Sequence, residues 1–331
     1  MRPLISICCI TYNHEKYISE AIESLLKQET NFPFEIIIHD DASTDNTAKI
    51  IREFEKKYPD IIKPIYQKEN QHSKGKKVAF ECVFPNVNGR FLAVCEGDDY
   101  WSDMNKLQKQ VDFLSINHEY SACFHGVDVV DTDGVPIGRH LGPVGKGSRD
   151  YEMHDNIGGG FIHVSSILMR TELIKEGMPK WALESRHGDY ALALFLSANG
   201  KVHFLDNMMS SHRIGVENSI MSKIEESYSK DNEIKYHNQR IVTLKEANKY
   251  YSFKYDIPIK KVICNSEIII ILLKNHYKEL FNSNYREHLK NKGVFNVLKL
   301  LIVTKMPSVA RNLSLFKGKF VIKRDRLKLS R

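Results

Sequence analysis

The stretch CEGDDYW, Cys95 to Trp101, puts three carboxylates, Glu96, Asp98 and Asp99, within four residues, directly after the apolar run Phe91-Leu92-Ala93-Val94. Carboxylates packed that closely at the end of a buried strand repel one another unless a cation joins them. Hard oxygen ligands suit Mg²⁺ or Mn²⁺, which also take phosphate oxygens. An ion held there neutralises a diphosphate as it leaves. The same residues also suit an acidic turn that caps a helix near Asp103. Asp40 and Asp41 close a second apolar run, FEIIIHD. A carboxylate at that point can accept hydrogen bonds from a nucleobase N–H or from ribose hydroxyls, with Thr11 and Tyr12 framing the base. The alternative there is an Asx turn, DASTD, opening a helix.

The elements that must position these groups alternate. LISICCI (4–10) is a continuous apolar run, as expected of a parallel strand covered on both faces. Ile18, Ala21, Ile22, Leu25 and Leu26 recur with helical spacing. FEIIIHD (34–40) reads as a second strand. Ala48, Ile51 and Phe54 mark a helix that ends before Pro59, with Asp45 or Thr44 as its cap. IKPIY (62–66) and GRFLAVCEG (89–97) are the third and fourth strands, and Asp103 to Asn117 a helix with Leu107, Val111 and Leu114 on one side. This rhythm predicts an α/β, doubly wound, mostly parallel sheet flanked by helices, with right-handed crossovers and ligands at the carboxyl ends of the strands. Residues 120–220 mix short strands with loops, and the glycine-rich stretch 134–160 suits an active-site flap. After about residue 222 the pattern turns helical: Ser229–Tyr250 is charged and amphipathic, Lys261–Leu280 carries EIIIILL, and residues 294–306 are apolar on one side.

Composition is that of an ordinary globule: 331 residues, 42% hydrophobic and 27% charged. The opening apolar run is too short and too soon polar for a signal peptide. No stretch approaches about 20 uninterrupted apolar residues, so no membrane span is expected. The six cysteines form no CxxC pair and read as reduced core residues of a cytoplasmic protein. Twelve Lys and Arg against one acid, Asp325, make residues 290–331 a +11 segment, which leaves −4 of the net +7 for residues 1–289. A basic tail interleaved with apolar residues suits an anionic membrane surface.

Three segments in order, SICCITYNHEKYISEAIESLLKQ, FEIIIHDDASTDNTAKII and GRFLAVCEGDDYW, resemble the family-2 glycosyltransferases of the GT-A fold. The likeness runs over roughly residues 3–220. ENQHSKGKK (69–77) and DDYWSDMNKLQKQVDFL also resemble a bacterial subgroup that builds surface polysaccharides. The resemblance implies a GT-A catalytic domain over 1–221, with a nucleotide-sugar half to about 117 and an acceptor half beyond it. A helical, basic extension, 222–331, would follow. It implies a nucleotide-diphosphate sugar donor, with a lean to UDP, Mn²⁺ or Mg²⁺ as cofactor, and inversion at the anomeric carbon. The acceptor would be a glycan or a lipid-linked hydroxyl, met on the cytoplasmic face of the inner membrane.

Carried over residue by residue, Thr11, Tyr12 and Asn13 line the nucleotide pocket, and Asp41 faces the base. Asp98 and Asp99 share ribose and metal contacts, with Glu96 standing where the family commonly has Asp. HGDYALALFLSANGKVHFL (187–205) resembles the segment that carries the general base, a role that falls to Asp189; a helix cap is its other reading. SSHRIGVENS (210–219) resembles the family's closing Tyr-Arg-x-His-x-x-x-Ser element, with Arg213 and Ser219 matching, His212 in place of Tyr and Gly215 in place of His. Arg213 would then steady the diphosphate. NIGGGFIHVSSILMR (156–170) resembles the acceptor side, which makes His163, Ser165 and Ser166 candidates for hydroxyl contacts, with His212 beside them; a strand with buried serines is the alternative. Lys74, with Lys76 and Lys77, lies in a loop able to reach phosphates. Two other readings stay open. A nucleotidyltransferase acting on a sugar phosphate usually carries a glycine-rich basic loop after the first strand, where this chain has TYNHEKY. A nucleic-acid binder using the +11 tail leaves the carboxylate rim without a purpose, and no nucleic acid is expected as a partner.

Overall fold

The computed structural model describes residues 2–159, 162–217 and 229–292. The chain divides into two compact units. The first holds the described residues up to Leu183 and from His187 to Glu217, and the second holds 184–186 and the described residues after 217.

The first unit is built on one mixed sheet. Its first half is parallel, as the apolar runs predict: β1 (Ile5–Thr11), β2 (Phe34–Asp40), β3 (Ile62–Tyr66) and β4 (Phe91–Glu96), alternating with α1 (Ile18–Leu26) and α2 (Thr47–Lys57). Ile5, Ile7, Ile36, Ile38, Phe91, Ala93 and Cys95 form one core with Ile18, Ile22, Leu25 and Ile51 of the helices. After β5 (Tyr100–Trp101) and α3 (Lys106–Ile116), the second half departs from a parallel pattern. It contains β6 (Tyr120–Val130), β7 (Pro136–Leu141), β8 (Arg149–Tyr151), β9 (Leu168–Arg170) and β10 (Lys201–Arg213). The main order is β3-β2-β1-β4-β9-β6-β10-β5, in which β9 lies antiparallel between β4 and β6. The glycine-rich stretch 134–160 supplies β7, paired with β6, and β8, paired with β10. It also supplies a short helix, α4 (Met153–Asn156). Two further short helices, α5 (Glu172–Lys175) and α6 (Lys180–Leu183), precede α7 (Gly188–Ala198).

Register decides where the polar groups emerge. Thr11 pairs with Asp40, Ile10 with Glu96 and Asp40 with Tyr66, so four strands end together on one rim. The second unit contains α8 (Lys230–Tyr250), α9 (Asp256–Lys274) and α10 (Ser283–Lys292). Ser229 caps α8 by accepting from the Asn232 N–H at 3.1 Å. Residues 294–306 and nearly all of the basic 290–331 segment lie outside the described residues, as does Ser219. All six cysteines are free, as expected, and Cys8, Cys9, Cys95 and Cys123 are buried.

One residue beneath the rim breaks the burial rules. Lys106, the first residue of α3, is fully buried. Its Nζ lies 3.9 Å from the centre of the Trp101 ring and donates to Gln110 Oε1 at 2.8 Å. Burial pushes its pKa down from 10.5 to about 7. Between those two values the unfolded chain holds a proton that the folded chain has released, so this lysine makes stability rise with pH across that window, by roughly 5 kcal/mol in full. Urea unfolding of the wild type and Lys106→Met at pH 7 and pH 10 tests this. The wild type is expected to gain on the variant as pH rises; a constant difference would refute the depressed pKa.

Candidate active site

The rim is organised around the turn that follows β4. The Gly97 N–H donates to Ile10 O at 2.9 Å, and the Asp99 N–H to Glu96 O at 3.1 Å. This docks the turn on the end of β1. Gly97 is required there: a Cβ would stand 2.6 Å from Thr11 Oγ1 and 2.7 Å from Thr11 Cβ. Thr11 is therefore buried under the turn, with its Oγ1 unpartnered, rather than lining an open pocket. Tyr12 is exposed on the rim. Asn13 adopts a left-handed φ of 55°. Its Oδ1 accepts from the Thr44 N–H at 2.8 Å, while its own N–H donates to Ser43 Oγ at 2.9 Å, which ties the first loop to DASTD. Asp45 accepts the first-turn N–H of Thr47 at 2.9 Å, as a residue opening α2 should.

The next residues fix the opposite wall. Trp101 pairs with Ser210 and Tyr100 with Ser211, which sets the end of β10 beside Asp99. His212 Nδ1 lies 3.0 Å from Asp99 Oδ1, and the Arg213 N–H donates to the same oxygen at 2.9 Å. The rings of His212 and His163 lie 4.3 Å apart between centroids. One ligand atom each from Asp99, His163 and His212 falls within 4.8 Å of the others. His14 Nε2 lies 3.8 Å from Asp98 Oδ2.

The electrostatics are those of crowded anions. Burial first, then Asp98, Asp99 and Asp189, push the Glu96 carboxyl well above the usual carboxylate range. Burial also raises Asp99, against the pull of the hydrogen bonds from His212 and Arg213. Burial opposes a charge on His212, yet the hydrogen bond and charge of Asp99, with Asp98, raise its pKa. Burial, with His212 nearby, pushes His163 down to about 3, which keeps it a neutral imidazole. Asp189 stands in the first turn of α7, whose N-cap is His187, so Asp189 is not the cap. Its side chain is open to solvent, yet the surrounding protein raises its pKa through desolvation, while His212 and Lys77 pull it down.

Several residues sit differently from the sequence-based expectation. Arg213 was expected to hold a diphosphate, but its guanidinium is buried and committed to protein. Nε donates to Asp98 O at 3.0 Å, one terminal nitrogen to Thr132 O at 2.9 Å, and the other pairs with Glu20. The Tyr17 and Tyr100 rings flank it at 4.8 and 5.5 Å. Ser165 and Ser166 are fully buried, which is the buried-serine alternative rather than an acceptor surface. The Ser165 hydroxyl lies 2.8 Å from His163 Nδ1 and 3.1 Å from Ser210 Oγ, and Ser166 donates to His163 O at 2.6 Å. They position His163, and His163 and His212 face Asp99 instead of an acceptor site. Asp41 is buried, and its two oxygens accept the N–H groups of Gln71 and His72 at 2.8 and 3.0 Å, so it anchors the 69–77 loop. Lys74 is exposed and paired with Glu69. Lys77 is the lysine whose charge Asp189 feels. Glu20, His14 and Tyr17 were not singled out from the sequence; His14 and Tyr17 lie within the quoted TYNHEKY turn, where their types were the available signal.

Comparison with known proteins gives a consistent picture. The sequence model of a family described as Glycosyl transferase family 2 matches residues 6–177. An uncharacterized protein of Mycobacterium tuberculosis is 35% identical over 215 residues, covering 63% of this chain and 58% of that protein. The Escherichia coli UDP-Glc:alpha-D-GlcNAc-diphosphoundecaprenol beta-1,3-glucosyltransferase WfgD is 29% identical over 140 residues, covering 42% of this chain and 51% of that one. The matched region thus spans less than two thirds of either relative. Residues 1–349 of Staphylococcus aureus TarS, solved with UDP-GlcNAc, share the fold with a TM-score of 0.59 at 20% identity, over 98% of this chain and 92% of that one.

The fit of Gly97 against Thr11 can be tested directly. Gly97→Ala should cost about 1–3 kcal/mol through overpacking and weaken Mn²⁺ binding measured by calorimetry. Gly158→Ala, where a Cβ meets nothing nearer than 4.0 Å, serves as the control and should leave both unchanged. Equal behaviour of the two variants would show that the turn does not depend on this contact.

Proposed function

The chain belongs to glycosyl transferase family 2, and from that premise we propose that it moves a sugar, with inversion, from a nucleoside-diphosphate sugar to a hydroxyl of a glycan or lipid-linked acceptor in bacterial surface-polysaccharide synthesis. The observation that carries this reading is the placing of Glu96, Asp98, Asp99 and Asp189 close enough on one rim that the last three each raise the Glu96 carboxyl. Three of these belong to a turn suited to a cation, and the fourth stands apart on α7, free to take a proton.

The donor set fits a divalent ion. Asp99, His163 and His212 present converging ligand atoms, and Asp98 and Glu96 add carboxylates beside them. Two imidazoles among the ligands favour Mn²⁺ over Mg²⁺. When bound, the ion supplies charge neutralisation for the departing nucleoside diphosphate. Asp189 accepts the proton of the acceptor hydroxyl as that oxygen attacks the anomeric carbon from the face opposite the diphosphate. Its raised pKa makes it a stronger base than an ordinary aspartate. Arg213, held by Glu20 and Asp98 O, braces the turn. Tyr12, on the open rim, serves the nucleobase. UDP is the favoured nucleoside diphosphate, in keeping with the UDP-Glc of WfgD and the UDP-GlcNAc bound by TarS. The lipid-linked acceptor follows the diphosphoundecaprenol in the WfgD name. Among the described residues no helix is long and apolar enough to cross a membrane.

Three experiments test the reading. Thermal shift with UDP, GDP, CDP and TDP, each with Mn²⁺ and with EDTA, should give a metal-dependent rise that is largest for UDP; no rise with any of them would remove the rim as a donor site. Asp189→Asn should lower turnover by about 10²–10⁴-fold while the UDP-dependent shift persists. The acid limb of the wild-type rate profile should lie above the ordinary carboxylate range, because transfer needs Asp189 ionised and its pKa is raised. Near-normal transfer by the variant would take Asp189 out of the mechanism.

A further inference from the structure

The second unit carries an apolar tip with no role in the site above. α8 and α9 pack against each other and are joined through Tyr251–Tyr255. The turn is fully built: the Phe253 N–H donates to Asn248 O at 2.8 Å, Ser252 N–H to Lys249 O at 3.0 Å, and Asp256 N–H to Phe253 O at 3.2 Å. Asn248 also donates through its side chain to Asp256 Oδ1 at 3.0 Å. Three large side chains are nonetheless left outside: Tyr250 is 58% exposed, Phe253 61% and Ile257 71%. Ser252 and Phe253 hold left-handed φ values of 50° and 60° in succession. Glycine suits such a position better than an aromatic residue. Phe253 therefore occupies a place where its backbone is disfavoured and its side chain gains no burial within the described fold.

The exposed charges around the tip are mainly positive, with Glu246 an exposed acid one turn back along α8. Lys249, Lys254, Lys260 and Lys261 are all exposed. Asp256 is the only acid from 249 to 261, and it is taken up by Lys260 at 2.7 Å and by Asn248. A convex point of Tyr, Phe and Ile ringed by lysines matches the depth order of a bilayer interface: aliphatic and aromatic carbon in the acyl boundary, ammonium groups at the headgroups.

We propose that Tyr250, Phe253 and Ile257, with Lys249, Lys254, Lys260 and Lys261, form a docking point that inserts into an anionic phospholipid leaflet. This deepens the functional reading, since a lipid-linked acceptor has to be met at a membrane, and it places the anchoring surface in the α8–α9 turn, distinct from the basic 290–331 segment expected from the sequence.

The test is flotation of the full chain with vesicles of phosphatidylglycerol and phosphatidylcholine, set against phosphatidylcholine alone. The wild type is expected to float with the anionic vesicles, and Phe253→Gly/Ile257→Gln to bind at least about tenfold more weakly. Glycine suits the left-handed position, so this variant should melt no lower than the wild type. A second variant, Phe253→Trp, should show emission quenched by brominated lipid, against native Trp101 and Trp181, which are buried. Flotation of the double variant equal to the wild type, or an unquenched Phe253→Trp, would overturn the proposal, as would failure of the wild type to float. The UDP-dependent thermal shift, measured on the same samples, separates the two readings: its loss would touch the transferase assignment, and loss of flotation the docking point.

Discussion

Three carboxylates brought together at the end of a strand, with a fourth felt from α7, are the constraint on which the rest of this structure depends. Asp98, Asp99 and Asp189 each raise the cost of ionising Glu96, and burial adds to it. The surrounding fold answers with partners at fixed positions. His212 and the Arg213 N–H reach Asp99, His14 approaches Asp98, and the Arg213 guanidinium takes Asp98 O. The Glu96 carboxyl is instead pushed towards its neutral form. A cation at the rim would favour the ionised carboxylates, the linkage expected of a site that gains its ion together with an anionic ligand.

The scaffold transmits that requirement a long way. Trp101 donates through Nε1 to Ser165 O at 3.1 Å, which ties the β5 strand to the turn bearing His163. Gln110 donates to Ser166 O at 2.9 Å and accepts from Lys106, so the buried lysine belongs to the same hydrogen-bonded layer. Gln28 accepts from the Leu107 N–H at 3.1 Å and donates to Asp103 O at 2.8 Å, closing the N-terminus of α3. A buried lysine is an expensive way to build a layer. Its retention directly beneath the Trp101 ring is consistent with a scaffold that trades stability for a fixed position of the carboxylate turn.

Much of the first half was legible in the sequence because its information is local. Continuous apolar runs gave β1 to β4, and the polar residue after each run marked the rim. The second half depends on register between distant segments. Nothing in LMR says that β9 will lie antiparallel between β4 and β6, and nothing in HVSS says that both serines turn inward to hold His163. The left-handed Phe253 is equally silent in the sequence, since no glycine or asparagine marks it. Asp41 and Lys74 were placed correctly in loops, but their partners, the Gln71 and His72 amides and Glu69, follow from a loop conformation that spacing does not reveal.

Arg213 shows why a matched motif and a matched role are different things. Successive residues of a strand point to opposite faces. His212 turns its ring to Asp99, and Arg213 meets Asp99 only through its backbone N–H, so its side chain must leave on the other face, where Asp98 O, Thr132 O and Glu20 wait. An arginine in that position cannot swing back to a diphosphate without giving up those partners inside a buried setting, where each unmade bond is costly. The same alternation places His212. Its ring lies on the Asp99 face and is joined there by His163 from a different segment. The strand's two-residue period therefore gives the imidazole at 212 to the site and sends the guanidinium at 213 away from it.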